Sequence, residues 1–186
     1  VLRLRQDLVL GFLPQLGWLL ARLCGLFGRL RRNARTGRVE ASGVQRRQLR
    51  RDLPAWLDPV LVSPLGAEQA RALSRLLSSL VVKNVSLSKR SSSDPSATGT
   101  KAESLARPFS KHATYVLVAY LKSLTAQHAV VPADVRAELD AGMLTLCEIM
   151  GHHQRDAAMV GLLDAAGRVL MKRMWEVYEG QRYKGQ

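Results

Sequence analysis

The apolar spacing between Val135 and Met150 leaves little choice of local structure. Val135, Leu139, Met143, Leu146 and Met150 follow at steps of four, four, three and four. That places all five on one stripe of an α-helix, whereas the odd step would throw a strand onto its other face. Its neighbours are helical as well. From Tyr115 to Leu121 the chain is apolar in every direction, the pattern of a helix enclosed by other helices. The punctuation predicts three helices in a row. The first is Phe109–Val130 with Ser110 as N-cap. The second is Pro132–Met150, with Pro132 opening it, Asp134 in its first turn and Gly151 ending it. The third is Asp164–Glu179 with Asp164 as N-cap. The three are expected to pack together with Leu121, Leu139, Leu146 and Leu170 buried.

The third helix carries two adjacent apolar stripes, Leu170, Met174 and Val177 beside Met171, Trp175 and Tyr178. A face this wide needs two contacts, the domain core and a second protein. A fourth helix is predicted over Ala67–Val81. Ala70, Leu73, Leu76, Leu77 and Leu80 point inward, and Glu68, Arg71, Arg75 and Ser79 outward. No β-alternation stands out, so the expected fold class is all-α. It is an irregular helical bundle or the end of an α-helical solenoid, with a basic amino-terminal arm.

The first 30 residues are also helical in pattern, with Leu8, Phe12, Leu16, Leu20, Leu23, Phe27 and Leu30 on one face and Pro14 expected to kink it. The charge-free window Leu8 to Ala21 is too short to cross a bilayer as a helix. RLRRNAR follows the apolar run where a secretory signal would need a small-residue cleavage site. This segment is read as an amphipathic helix pair packing on a partner domain. The chain opens on Val1 rather than Met, which suits a fragment of a longer protein.

The formal charge of +13 is unevenly placed. Residues 1–51 hold twelve arginines against Asp7 and Glu40, and the remaining residues are close to balanced. Arg29, Arg31, Arg32, Arg35, Arg38, Arg46, Arg47, Arg50 and Arg51 form a single-signed run without one lysine. The guanidinium fork matches phosphate oxygens, so this run is the candidate RNA-binding arm. Gly37 and Gly43 interrupt it, and a short helical turn is expected over Val44–Leu49. DLPAWLDPVLVSPLG should then run extended, with Trp56 and Leu57 as anchors. Lys83–Lys101 has almost no apolar content to offset the entropy of ordering it, and reads as a mobile linker.

Catalytic chemistry is hard to find. Cys147 with His152 and His153 lacks the further ligand pair of a closed tetrahedral metal site, and reads as a core thiol followed by a helix-end histidine pair. Ser110, His112 and Asp134 lack the strand-to-helix elbow of a nucleophilic serine. Gly25 and Gly28 follow no strand that would make a phosphate loop. No catalytic residue, metal or cofactor is expected, and Cys24 and Cys147 are expected to be buried thiols in a reducing compartment. At the carboxy end, Met171, Trp175, Tyr178, Arg182 and Tyr183 are the candidate protein interface. Trp, Tyr and Arg are enriched at such hot spots, although aromatic and basic residues together can also clamp single-stranded RNA.

KHATYVL at Lys111 to Leu117, LDAAGR at Leu163 to Arg168, and the aromatic–acidic–aromatic pattern at Trp175, Glu176 and Tyr178 resemble the carboxy-terminal domain of the unhealthy ribosome biogenesis protein 2 family. The resemblance covers roughly Leu53 to Lys184 and is densest from Phe109 onward. It implies a large helical scaffold without known catalysis, acting in the nucleolus on early precursors of the large ribosomal subunit. It also implies partners: pre-ribosomal RNA and other large-subunit assembly factors, including a larger helical scaffold and a DEAD-box RNA helicase. No membrane is expected among them. The implied organisation is 1–51 as amphipathic helices and arginine-rich arm, 52–82 as helical lead-in, 83–104 as disordered Ser-rich linker, and 105–186 as carboxy-terminal helical domain. The residues alone leave a second reading: a peripheral membrane or trafficking adaptor that lays its basic amphipathic start on anionic lipid.

Overall fold

The computed structural model describes residues 6–28, 30–41, 65–82, 84–85 and 102–184. Helices α1 (Gln6–Leu10) and α2 (Leu13–Phe27) lead into a two-stranded ribbon, β1 (Leu30–Arg32) and β2 (Val39–Ala41). Helix α3 (Ala67–Ser78) follows, then a minimal ribbon of β3 (Asn84–Val85) and β4 (Ala102–Glu103). The chain ends in α4 (Ala106–Thr125), α5 (Ala133–Ile149), α6 (His152–Gly161) and α7 (Ala165–Lys184). The fold class is all-α, a helical bundle. Two short antiparallel ribbons, which the sequence pattern does not announce, are its only strands among the described residues.

Helix α4 is the hub, as its all-round apolar middle implies. It packs most heavily on α2 and also touches α5, α6 and α7. Val116, Leu117, Val118, Tyr120 and Leu121 are buried in it, although Tyr115 points out. The other extensive contact is α3 on α5. Both pairs run parallel, as their registers show. Gly17 meets His112 and Gly28 meets Ser123 on α2 and α4. On α3 and α5, Arg71 meets Glu138, Ser74 meets Gly142, and Ser78 meets Thr145. Because α3 precedes α4 in sequence, the two pairs interleave: first with third, second with fourth. Gly17 and Gly142 are what permit such close approach. A Cβ on Gly17 would lie 2.8 Å from the Cβ of His112, and one on Gly142 would lie 2.8 Å from the Cα of Ser74.

Most of the predicted stripes hold. All five of the residues from Val135 to Met150 are buried, as are Ala70, Leu73 and Leu77 on α3 and Leu80 just beyond its end. Burying each such leucine or valine stabilises the fold by about 1.5–3 kcal/mol before entropy is subtracted. Asp164 does cap α7: its Oδ1 accepts from the Gly167 N–H at 2.8 Å.

Several expectations are corrected. Ser110 is not the N-cap of α4. The helix begins at Ala106, and the Ser110 hydroxyl donates to the Arg107 carbonyl within it. The start moves back because Leu105 and Phe109 are both core residues, and Pro108 sits in the first turn, where its missing N–H costs nothing. Ser79 turns inward and donates to the Leu76 carbonyl at 2.6 Å instead of facing solvent. On α2 the buried face is Leu13, Gly17, Leu20, Cys24 and Phe27, so Leu8 and Phe12 look outward. The chain breaks between α1 and α2 at Gly11 and Phe12, and Pro14 lies in the first turn of α2 instead of kinking a longer helix. Asn84, Val85, Ala102 and Glu103, assigned to the linker, are paired in the second ribbon. The expected Val44–Leu49 turn, the Trp56 and Leu57 anchors and the centre of the Ser-rich stretch lie outside the described residues.

Helix α6 is the largest departure from the sequence reading. His152 and His153 open this new helix; they do not trail from α5. The Gln154 side chain accepts from the Gly151 N–H at 3.0 Å, which satisfies one donor at its start.

Candidate interaction surfaces

The arginine run is only partly gathered by the fold. Arg31 and Arg32 lie on β1, and Arg35 and Arg38 in the turn that joins β1 to β2. Asn33 organises this turn: its Oδ1 accepts from the N–H groups of Arg35 at 2.9 Å and Thr36 at 3.3 Å. Gly37 closes it with φ of 68°. The ribbon is pinned to the loop after α4, since the Arg32 N–H donates to the His128 carbonyl and the Val130 N–H to the Leu30 carbonyl. Arg31 spends its guanidinium on the carbonyls of Gly28 and Leu30, closing the end of α2. Arg32, Arg35 and Arg38 remain exposed. Arg29, Arg46, Arg47, Arg50 and Arg51 lie outside the described residues.

The proposed protein interface is split by the structure. Met171 and Trp175 belong to the chain's own core; Trp175 is only 4% exposed. Its indole N–H donates to Glu179 Oε1 at 2.9 Å, and its ring packs edge-on against His152 and Tyr178, each with centroids 5.4 Å apart. The Arg155 guanidinium covers it at 5.0 Å. Helix α6, absent from the sequence reading, is what claims this face. The Gly-x-x-Gln start at Gly151 is the signal that could have revealed it. Tyr178 is half-buried, and Arg182 and Tyr183 are exposed.

The other α7 stripe takes the outward role. Leu170, Met174 and Val177 line an open groove of about 300 Å³ against Leu124 of α4 and Leu144 of α5. Leu144 also lines a further hollow that holds Tyr178 and Arg182, and Leu124, Arg136 and Leu170 border one that reaches Arg32 and His128. The three hollows share these lining residues and follow one another along α5 and α7. At their side, Asp140 accepts from the Tyr120 hydroxyl at 2.6 Å and pairs with Arg136 at 3.6 Å. Burial first, and then the hydrogen bond to Asp140, push the Tyr120 hydroxyl well above its ordinary pKa. This pair holds α4 to α5 and is no acid–base device at neutral pH.

The residues weighed for chemistry are placed as follows. Burial pushes both thiols, Cys24 and Cys147, up to about 12, so neither is a thiolate near neutrality. His112 lies beside Phe109 with the two rings tilted at 51° and meets Gly17 of α2, and Asp134 is exposed at the start of α5. Among the described residues no three His, Cys, Asp or Glu side chains gather as metal ligands. Nor is any helix there long and apolar enough to cross a membrane.

The family model described as Urb2/Npa2 matches residues 1–186, the whole chain. The chain belongs to the Urb2/Npa2 family. This is the family anticipated from KHATYVL and LDAAGR, and the match extends through the amino-terminal residues that those motifs leave out. The family is one of ribosome biogenesis factors, a role that suggests the nucleus and nucleolus, and it is not known for enzymatic activity. No curated protein and no solved structure matches the chain significantly. Within the family frame, LDAAGR has a local structural explanation: Leu163 is buried, Asp164 caps α7, and Arg168 Nε donates to the Leu163 carbonyl at 3.1 Å.

Proposed function

We propose that this chain is a non-enzymatic scaffold domain of a nucleolar factor, acting in early large-subunit assembly and pre-rRNA processing. The observation that carries this reading is the family match over the whole chain. The exposed arginines of the β1–β2 turn supply phosphate contacts to pre-ribosomal RNA, and the rest of the run, outside the described residues, extends that arm. The partners are other large-subunit assembly factors, a larger helical scaffold and a DEAD-box RNA helicase among them. In this reading the chain is organised as amphipathic helices and an arginine-rich arm (1–51), a helical lead-in (52–82), a Ser-rich linker (83–104) and a carboxy-terminal helical domain (105–186), with α2 and α3 packed on that last region. Two measurements test it. The intact protein should sediment with large-subunit precursors, and its depletion should make those precursors fail to mature. Binding to pre-rRNA fragments should weaken with salt at a log–log slope of roughly −3 to −5, as for about five neutralised phosphates. Replacing Arg35 and Arg38 with Gln should flatten that slope by up to about 2. An unchanged slope assigns these arginines to something other than RNA.

One observation favours the second reading, a peripheral membrane or trafficking adaptor. Phe12 and Trp18 are 64% and 63% exposed on the α1–α2 segment, near exposed Leu8 and Leu19, and Arg22 lies over the Trp18 ring at 5.2 Å. Binding to anionic vesicles that is lost on Trp18→Ala, without binding to RNA, would favour it over the scaffold.

A further inference from the structure

The groove that these successive hollows trace between α4, α5 and α7 has a floor and a rim of different chemistry. Its floor is aliphatic: Leu170, Met174 and Val177 step along α7 at i, i+4 and i+7, facing Leu124 and Leu144. Its rim is cationic, with Arg32, Arg136, Arg173 and Arg182 against Asp140 and Glu148. Asp140 is already engaged by Tyr120 and Arg136. Among the described residues neither Arg173 nor Arg182 makes an ion pair. The rim is therefore positive where a visitor would meet it.

We propose that this groove receives an amphipathic helix from an acidic segment of a partner protein, its apolar face on the leucines and its carboxylates against the arginines. The proposal deepens the scaffold reading above by naming the chemistry of one partner. An aliphatic floor with helical spacing suits the apolar face of a helix laid into it. A single RNA strand would instead want aromatic platforms for its bases, and Tyr178 stands only at one end. From Leu170 to Arg182 the floor and rim extend for about 18 Å, the length of roughly 12 residues of partner helix. Opposite charges on the two sides would steer the encounter and fix its register.

Photoreactive benzoylphenylalanine in place of Val177, in the intact protein in its own cells, tests this directly. Val177 is 46% exposed in the groove, and Val169, 65% exposed on the same helix but outside it, is the control position. Irradiation should join position 177, and not 169, to a protein segment of net negative charge with apolar residues at i, i+3, i+4 and i+7. Arg173→Glu with Arg182→Glu should lower that yield about tenfold or more, whereas the matching pair of lysine substitutions should largely keep it. Adducts at 177 with RNA, lipid, a basic segment, a second copy or another part of this chain overturn the proposal. So does a yield no higher than at 169. The two readings separate in the same experiment. An acidic helix from a protein outside ribosome assembly upholds the groove and sinks the ribosomal scaffold, while an RNA adduct at 177 sinks the groove and leaves the scaffold standing.

Discussion

Replacing Gly142 with alanine sets two effects of opposite sign against each other, and the structure decides between them. In an open helix interior the change stabilises by up to about 1 kcal/mol, because glycine is the poorer helix former. At position 142 the new Cβ would stand 2.8 Å from the Ser74 Cα, 2.9 Å from its Oγ and 3.1 Å from Leu77 Cδ1. Ordinary carbon contacts lie near 3.5–4.0 Å, so α3 must move away from α5 by most of an ångström. The nearest atom is backbone, and no rotamer change can relieve it. Overpacking of this kind costs about 1–3 kcal/mol, which exceeds the propensity gain. The expected net loss is up to about 2 kcal/mol, or a Tm lower by up to roughly 8 °C for a chain of this size. Gly180→Ala is the matched control, since it lies in α7 with nothing within 4 Å of its added Cβ. It should raise Tm by roughly 1–4 °C. Ser74→Ala should not rescue Gly142→Ala, because it leaves the Cα in place. If Gly142→Ala raises Tm as Gly180→Ala does, the close parallel packing of α3 on α5 is wrong.

Trp175→Ala should unfold rather than merely disconnect: losing this buried ring costs about 3–5 kcal/mol, so calorimetry should show Tm falling by roughly 10 °C. The two thiols, held near 12 by burial, should ignore Ellman's reagent at pH 8 and both react once guanidinium unfolds the chain; rapid labelling of the native protein would contradict their placement. The Arg71 guanidinium, which donates to Glu138 at 2.6 Å, holds that carboxyl below its ordinary value. A lowered folded-state value means the stabilisation is present above the unfolded carboxyl's pKa, near 4.5, and lost as pH falls through the folded value. Denaturant titrations should therefore show wild type more stable than Glu138→Gln at pH 7 and the gap closing in acid.

Sequence periodicity reads some helices well because each of those has one apolar stripe that is buried along its whole length. The Val135–Met150 stripe is such a case, and so is Ala70–Leu80. It failed where two faces are equally apolar. On α7 the stripes Leu170–Met174–Val177 and Met171–Trp175–Tyr178 have the same spacing and are both apolar, so nothing local says which faces inward. The answer lies in α6, whose HHQRDAAMVG buries only Ala158 and looks like a polar connection. It failed again on α2, where Gly17 makes a close approach to His112. A search for large side chains passes over the residue whose missing side chain permits the approach. The interleaving of the two parallel pairs was also hidden, since it depends on which helices meet and not on how any one of them is written. For the arginines, composition marked the run but not the division of labour: Arg31 closes a helix end while Arg32, Arg35 and Arg38 face solvent.

That interleaving bears on how the domain presents its surfaces. The groove takes Arg32 from the ribbon after α2, Leu124 from α4, Arg136 and Leu144 from α5, and Leu170 to Arg182 from α7. These segments come together because α4 touches both α5 and α7. The ribbon adds a further tie, since its hydrogen bonds to His128 and Val130 fix Arg32 against the loop that opens α5. A side chain such as Val177 sits on this assembled surface and contributes little to holding it together, whereas Gly142 and Trp175 hold it together without lining it. Loss of binding at the first kind of position with an unchanged melting temperature, and coupled loss at the second, is therefore the pattern that a preformed docking surface on a rigid bundle must give.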